Sequence, residues 1–171
     1  MVIMALCTVL IAVCSWISIP AVVPFTLQTF AVFLTLELIG GKRGLVSIII
    51  YILLAAVGAP VLAQFKGGIG AVLGMTGGYL LGFIFIALVY RLGVTLFSDR
   101  LPVRIVSMII GLAVCYAFGT AWFMFVYARQ AGDITVMKAL SMCVIPFIIP
   151  DLIKLALAEV LALRLRKVIP V

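Results

Sequence analysis

Histidine is absent from the 171-residue chain, which removes the commonest general base and the commonest metal ligand. No Gly-rich phosphate loop ending in Gly-Lys-Ser or Gly-Lys-Thr occurs, so ATP hydrolysis by that route is excluded. Acidic residues number five: Glu37, Asp99, Asp133, Asp151 and Glu159. Asp99 and Asp133 stand in loops among Arg and Lys, where solvated pairing accounts for them. Glu37 lies close to Lys42 and Arg43 and is expected to reach the cytoplasmic interface. So thin an acid–base inventory argues against an enzyme and leaves a binder or a carrier. Cysteine is equally sparse. Cys7, Cys14, Cys115 and Cys143 form no CxxC and fall in or near apolar runs, which predicts buried thiols and neither a disulfide nor a metal site. No cofactor is implied.

Charge is the largest deficit. Only 10% of residues are charged and 67% are hydrophobic, with a mean hydropathy of +1.47. A soluble domain holds ~25% charged residues. The chain therefore reads as an integral membrane protein, and its long continuous apolar runs select helices over a barrel. Spans are expected near Val2–Ile17, Thr26–Ile39, Leu45–Val57, Leu73–Phe97, Val103–Tyr127 and Leu140–Arg166. The sixth is interrupted by Pro146 and Pro150, with its helix expected to begin again at Pro150–Asp151. The first run is read as a retained helix: Val13 precedes Cys14 where a lipoprotein site wants a small residue, and no basic stretch comes before it. Nothing divides the chain, so residues 1–171 form one all-α domain, a bundle of six transmembrane helices.

Sidedness follows from Lys and Arg. Lys42, Arg43, Arg91, Arg100, Arg104, Arg164, Arg166 and Lys167 collect on one side, against Lys66, Arg129 and Lys138 on the other. By the positive-inside rule both termini are cytoplasmic. That asymmetry explains the formal charge of +7 without a nucleic-acid partner; the partner it implies is the lipid bilayer.

Three segments then face outward: Ser18–Gln28, Gly58–Met75 and Ala128–Asp151. KGGIGAVLGMTGGYLLGF, Lys66–Phe83, holds seven of the fifteen glycines. Gly70, Gly74, Gly78 and Gly82 recur every four residues, which on a helix is one bare face for close packing. The pairs Gly67–Gly68 and Gly77–Gly78 suggest instead a loop over the helix entrance, the mobile wall of a pocket. Gln28, Gln64, Thr76 and Tyr79 supply neutral polar groups on the same side. Asp151 and Lys154 are neighbours on one helical face, to be read either as mutual neutralisation or as one acceptor and one cation for a ligand. The orientation of Glu159, two turns deeper, stays open. Trp16 and Trp122 fall at outer helix ends, as interfacial anchors do.

VPFTLQTFAVFL (Val23–Leu34), GGKRGLVSIIIYILLAAVGAPV (Gly40–Val61), TGGYLLGF (Thr76–Phe83) and PDLIK (Pro150–Lys154) together resemble the BioY family, in order over nearly the whole chain. These are the biotin-specific substrate-capture subunits of energy-coupling factor transporters. The resemblance implies capture of biotin in an outward-facing pocket in a prokaryotic plasma membrane. It also implies delivery with a transmembrane coupling protein and two cytoplasmic ATPases. The family's last-helix motif maps onto Asp151 and Lys154. Asp151 can accept from the ureido N–H groups, with Gln64 as a further ureido contact, and Lys154 can meet the valerate carboxylate. Gln28, Thr76, Gly77, Gly78 and Tyr79 complete the expected pocket. Two positions depart from the family: Met75 stands where Pro is frequent, and the small-residue docking face of the first helix reads Ala5, Thr8, Ala12. Rival readings are capture of another vitamin and a ligand-free membrane assembly protein.

Overall fold

The computed structural model describes residues 1–21 and 23–167. In chain order these form α1 (Val2–Trp16), β1 (Ser18–Ile19), β2 (Phe25–Thr26), α2 (Gln28–Ala56) and a 3₁₀ turn at Ala63–Phe65. Then come α3 (Ile69–Val72), α4 (Gly77–Phe97), α5 (Leu101–Ala131), α6 (Val136–Cys143) and α7 (Ile145–Leu165). Four stretches are long and apolar enough to cross a membrane: α2, α4, α5 and the α6–α7 run. Exposed Val9, Leu53, Leu92, Ile110, Ile153 and Leu157 turn apolar side chains outward, as lipid-facing helices require.

The all-α expectation needs one amendment. Pro20 and Pro24 bar a helix between α1 and α2, and the chain pairs there as a short antiparallel hairpin, Ser18 opposite Thr26 and Ile19 opposite Phe25.

Helix α2 is folded on itself. Gly40 alone leaves helical geometry, at φ 77° and ψ 167°, a left-handed conformation that glycine adopts without steric penalty. Gln28 Nε2 lies 2.9 Å from the Tyr51 hydroxyl, whereas 23 residues of straight helix would separate them by about 34 Å. A side chain at Gly44 would run into Leu36. The halves on either side of Gly40 therefore lie against each other as a hairpin. Phe33, Leu36, Ile48 and Tyr51, all fully buried, make α2 the centre of the core, against α1, α4 and α7.

Other boundaries shift. Helix α4 starts at Gly77, not Leu73, because α3 closes at Val72 and a turn intervenes. The four-residue glycine stripe is thus not one face: Gly70 meets open space, while Gly78 abuts Trp122 and Gly119 of α5. At Gly82 an added Cβ would lie 2.5 Å from Cys115 Sγ and 3.2 Å from Cys115 Cα. The α5 glycines reciprocate, Gly111 on the Ile86 backbone and Gly119 on the Tyr79 ring. Gly82→Ala is accordingly expected to destabilise by about 1–3 kcal/mol through overpacking, and Gly70→Ala to be neutral or slightly stabilising. Thermal unfolding in detergent checks both; equal melting temperatures would refute the close approach.

The last helix also begins earlier than expected. It starts at Ile145 with Pro146 in its first turn, and Pro150 lies inside it. Asp151 is therefore a full turn into the helix, out of reach of the terminal N–H groups.

At the opposite end of the bundle from the hairpin, Glu37 does not reach solvent. It is fully buried, with Oε2 3.1 Å from Arg104 Nε and 3.5 Å from an Arg166 Nη2. Arg104 Nη2 donates to Glu159 Oε1 at 2.8 Å, and its Nη1 lies 3.4 Å from Asp99. Arg104, counted above with the loop cations, is thus a buried tie between α2, α5 and α7. This also answers the question left open at Glu159, which faces a helix interface.

Candidate ligand-binding site

The three segments read as outward-facing converge on one cavity of about 450 Å³, within the ~300–1,000 Å³ range of small-molecule sites. The hairpin contributes Thr26, the 58–75 loop contributes Gln64 and Lys66 at an exposed rim, and the α6–α7 junction contributes Cys143 and Phe147. Both tryptophans hold the loop. Trp16 Nε1 donates to the Pro60 carbonyl at 2.9 Å and its ring stacks on Phe65, 5.1 Å between centroids. Trp122 Nε1 donates to the Gly74 carbonyl at 3.0 Å. Anchoring to loop carbonyls is thus part of their role. Between these pins, Gln64 and Phe65 both take left-handed backbone, φ 59° and 56°, a conformation uncommon outside glycine.

Asp151 and Lys154 form the buried polar end. Asp151 Oδ1 accepts from Lys154 Nζ at 2.8 Å and from the Thr29 hydroxyl at 2.9 Å, and Oδ2 accepts from the Tyr116 hydroxyl at 2.6 Å. Lys154 Nζ also lies 3.1 Å from Thr29 Oγ1 and 4.3 Å from the centre of the Phe25 ring, a cation–π contact. Phe25 stacks on Phe147 at 5.7 Å. A carboxylate has about four acceptor positions, so three protein donors leave Asp151 one, on Oδ2. The pair is both a neutral unit and an incompletely filled one.

Of the expected site residues, Gln28, Gln64, Thr76, Gly77, Tyr79, Asp151 and Lys154 all line the cavity. Gly78 does not; its missing side chain admits Trp122, so its role is helix packing. Tyr79 sets its hydroxyl 3.0 Å from Thr120 Oγ1. Thr29 and Tyr116 were not anticipated. Thr29 lay inside the quoted VPFTLQT stretch beside Gln28, while nothing in the apolar surroundings of Tyr116 singled it out.

The three residues expected to form a docking face differ in exposure. Thr8 and Ala12 are buried, and the Thr8 hydroxyl lies 3.2 Å from the Ser47 carbonyl of α2. Their small size admits α2 against α1. Ala5 is exposed.

A model of the BioY family matches residues 1–171. The chain belongs to the BioY family. Relatives in that family include the biotin transporter BioY of Thermotoga maritima, 45% identical over 161 residues, covering 94% of this chain and 91% of that one. The probable biotin transporter BioY of Pyrococcus horikoshii is 42% identical over 144 residues, covering 84% and 81%. Among solved structures, the S-component for biotin from an ECF-type ABC transporter superposes with a TM-score of 0.82 at 26% identity, over 96% of this chain and 88% of that one. BioY members are transporter components, and the integral membrane character of this one agrees with its apolar helices.

Proposed function

We propose that this chain captures biotin in an outward-facing cavity and delivers it as the substrate-specific subunit of an ECF-type transporter. The cavity closed by the Asp151–Lys154 pair, in a chain whose relatives carry the name biotin transporter, is the observation that carries this reading. In membrane terms, α1, the two halves of α2, α4, α5 and α7 make six crossings, with both termini cytoplasmic beside the basic end. A transmembrane coupling protein and two cytoplasmic ATPases are the partners, and a prokaryotic plasma membrane is the setting.

The geometry favours one orientation of the vitamin. The buried pair is neutral overall and meets the neutral ureido head, since burying the valerate carboxylate there would add an unpaired charge. The carboxylate goes to the rim, where exposed Lys66 stands. This reverses the assignment of Lys154 to the carboxylate.

Calorimetric titration of the detergent-purified protein with D-biotin tests the proposal. Saturable, near-stoichiometric binding is expected, and biotinamide should bind within about tenfold, because an exposed ion pair contributes ~0–1 kcal/mol. No heat at two temperatures with folded, ligand-free protein would rule biotin out. A much larger loss with biotinamide would return the carboxylate to Lys154.

A further inference from the structure

One buried hydrogen-bond chain behind the cavity has a definite polarity. The Val61 carbonyl can only accept, and two hydroxyls converge on it: Tyr51 at 2.9 Å and Ser15 at 2.6 Å. Both residues are fully buried. A phenol has one proton, and Tyr51 places it on Val61. Tyr51 must therefore accept, not donate, in its 2.9 Å contact with the Gln28 amide. Of the two ends of that amide, the NH₂ is the one that can donate.

Gln28 is thus held one way round. Its nitrogen faces Tyr51, and its carbonyl oxygen is the end left over. Gln28 lines the cavity, and among the described residues its Oε1 has no hydrogen-bond partner and is not among the enclosed orphan atoms. The free end is an acceptor at the cavity wall. Gln28 and Asp151 line the same cavity, so a ligand filling it can meet both.

We infer that Tyr51, with Ser15 and the Val61 carbonyl, is a positioning device that locks Gln28 as an acceptor for a ureido N–H of the ligand. The inference rests on the biotin reading and deepens it. Asp151 has one acceptor position left, whereas the ureido ring carries two N–H donors; Gln28 Oε1 supplies the second. The lock also links the ligand contact to the 58–75 loop, because Val61 belongs to that segment. Without Tyr51 the amide is free to turn its NH₂ toward the ligand, where donor would face donor.

A double-mutant cycle tests this, read by biotin titration and thermal unfolding in detergent. Tyr51→Phe keeps the ring and removes the hydroxyl; Gln28→Met removes the amide at similar volume. Each is expected to weaken biotin binding about tenfold, ~1.4 kcal/mol. The double variant should bind no more weakly than Gln28→Met alone, because no amide remains to orient. A merely structural Tyr51 would weaken binding equally in both backgrounds, so additive losses would overturn the inference while leaving the biotin reading intact. Unchanged affinity in Gln28→Met would overturn it too. Should Tyr51→Phe prove unstable, Gln28→Met alone decides, since it leaves the Tyr51–Val61 contact in place. Wild-type protein that does not bind biotin would remove the inference and the reading beneath it together.

Discussion

Asp151→Ala is expected to weaken biotin capture by at least about 30-fold and to lower thermal stability at the same time. The carboxylate holds Lys154, Thr29 and Tyr116 together at 2.6–2.9 Å, and both charged side chains are almost fully buried. Removing it strands an ammonium group, which for a buried pair destabilises by about 3–5 kcal/mol. The binding loss from one partner of such a pair is about 2–5 kcal/mol, roughly 30-fold to 4,000-fold in Kd. Replacing both charges, Asp151→Leu with Lys154→Met, separates the two effects. An uncharged pair of similar volume should fold at least as stably as the wild type, yet it presents neither acceptor nor donor to the vitamin. Retained binding in that double variant would show that the pair serves only the fold.

Arg104→Ala should be the most damaging change outside the cavity. Arg104 is the contact common to Glu37 of α2, Glu159 of α7 and Asp99. Without it two buried carboxylates face each other, with Arg166 left as the nearby cation at 3.5 Å from Glu37. Like charges in a shared buried site are strongly unfavourable, and a loss of about 3–5 kcal/mol is expected. Thermal unfolding in detergent measures it. The triple replacement of Glu37, Arg104 and Glu159 by methionine should recover most of that stability, because the desolvation of three charges disappears along with their attraction. A melting temperature for Arg104→Ala equal to the wild type would mean that the carboxylates reach water, contrary to their burial.

The two experiments concern the same three helices. Thr29 and Glu37 lie on α2, Tyr116 and Arg104 on α5, Asp151 and Glu159 on α7. On α2 and α7 the separation is eight residues, about 12 Å of helix. Each helix thus carries one residue of the cavity's polar end and one of the ionic tie.

Membrane residence, helical class and the gathering of unusual sequence in three segments were legible in the residues, because they depend on composition and on the period of the chain. So was the Asp151–Lys154 pair: two ionisable groups three apart in an apolar run are neighbours whatever surrounds them. PDLIK with the ordered flanking blocks was enough to indicate the family. Other readings failed where a side chain's partner lies far along the chain. Glu37 sits near Lys42 and Arg43 in sequence yet pairs with Arg104 and Arg166. Gly78 belongs to a pocket motif and packs against Trp122.

Burial from water is set by hydropathy summed over many residues, and it survives ignorance of the partners. The polarity of a hydrogen bond does not. That Gln28 turns its nitrogen to Tyr51 depends on a phenol 23 residues away donating to a carbonyl ten residues further on. Only the reversal at Gly40 and the return of the 58–75 loop bring these groups within 3 Å of one another, so the tertiary structure alone decided it.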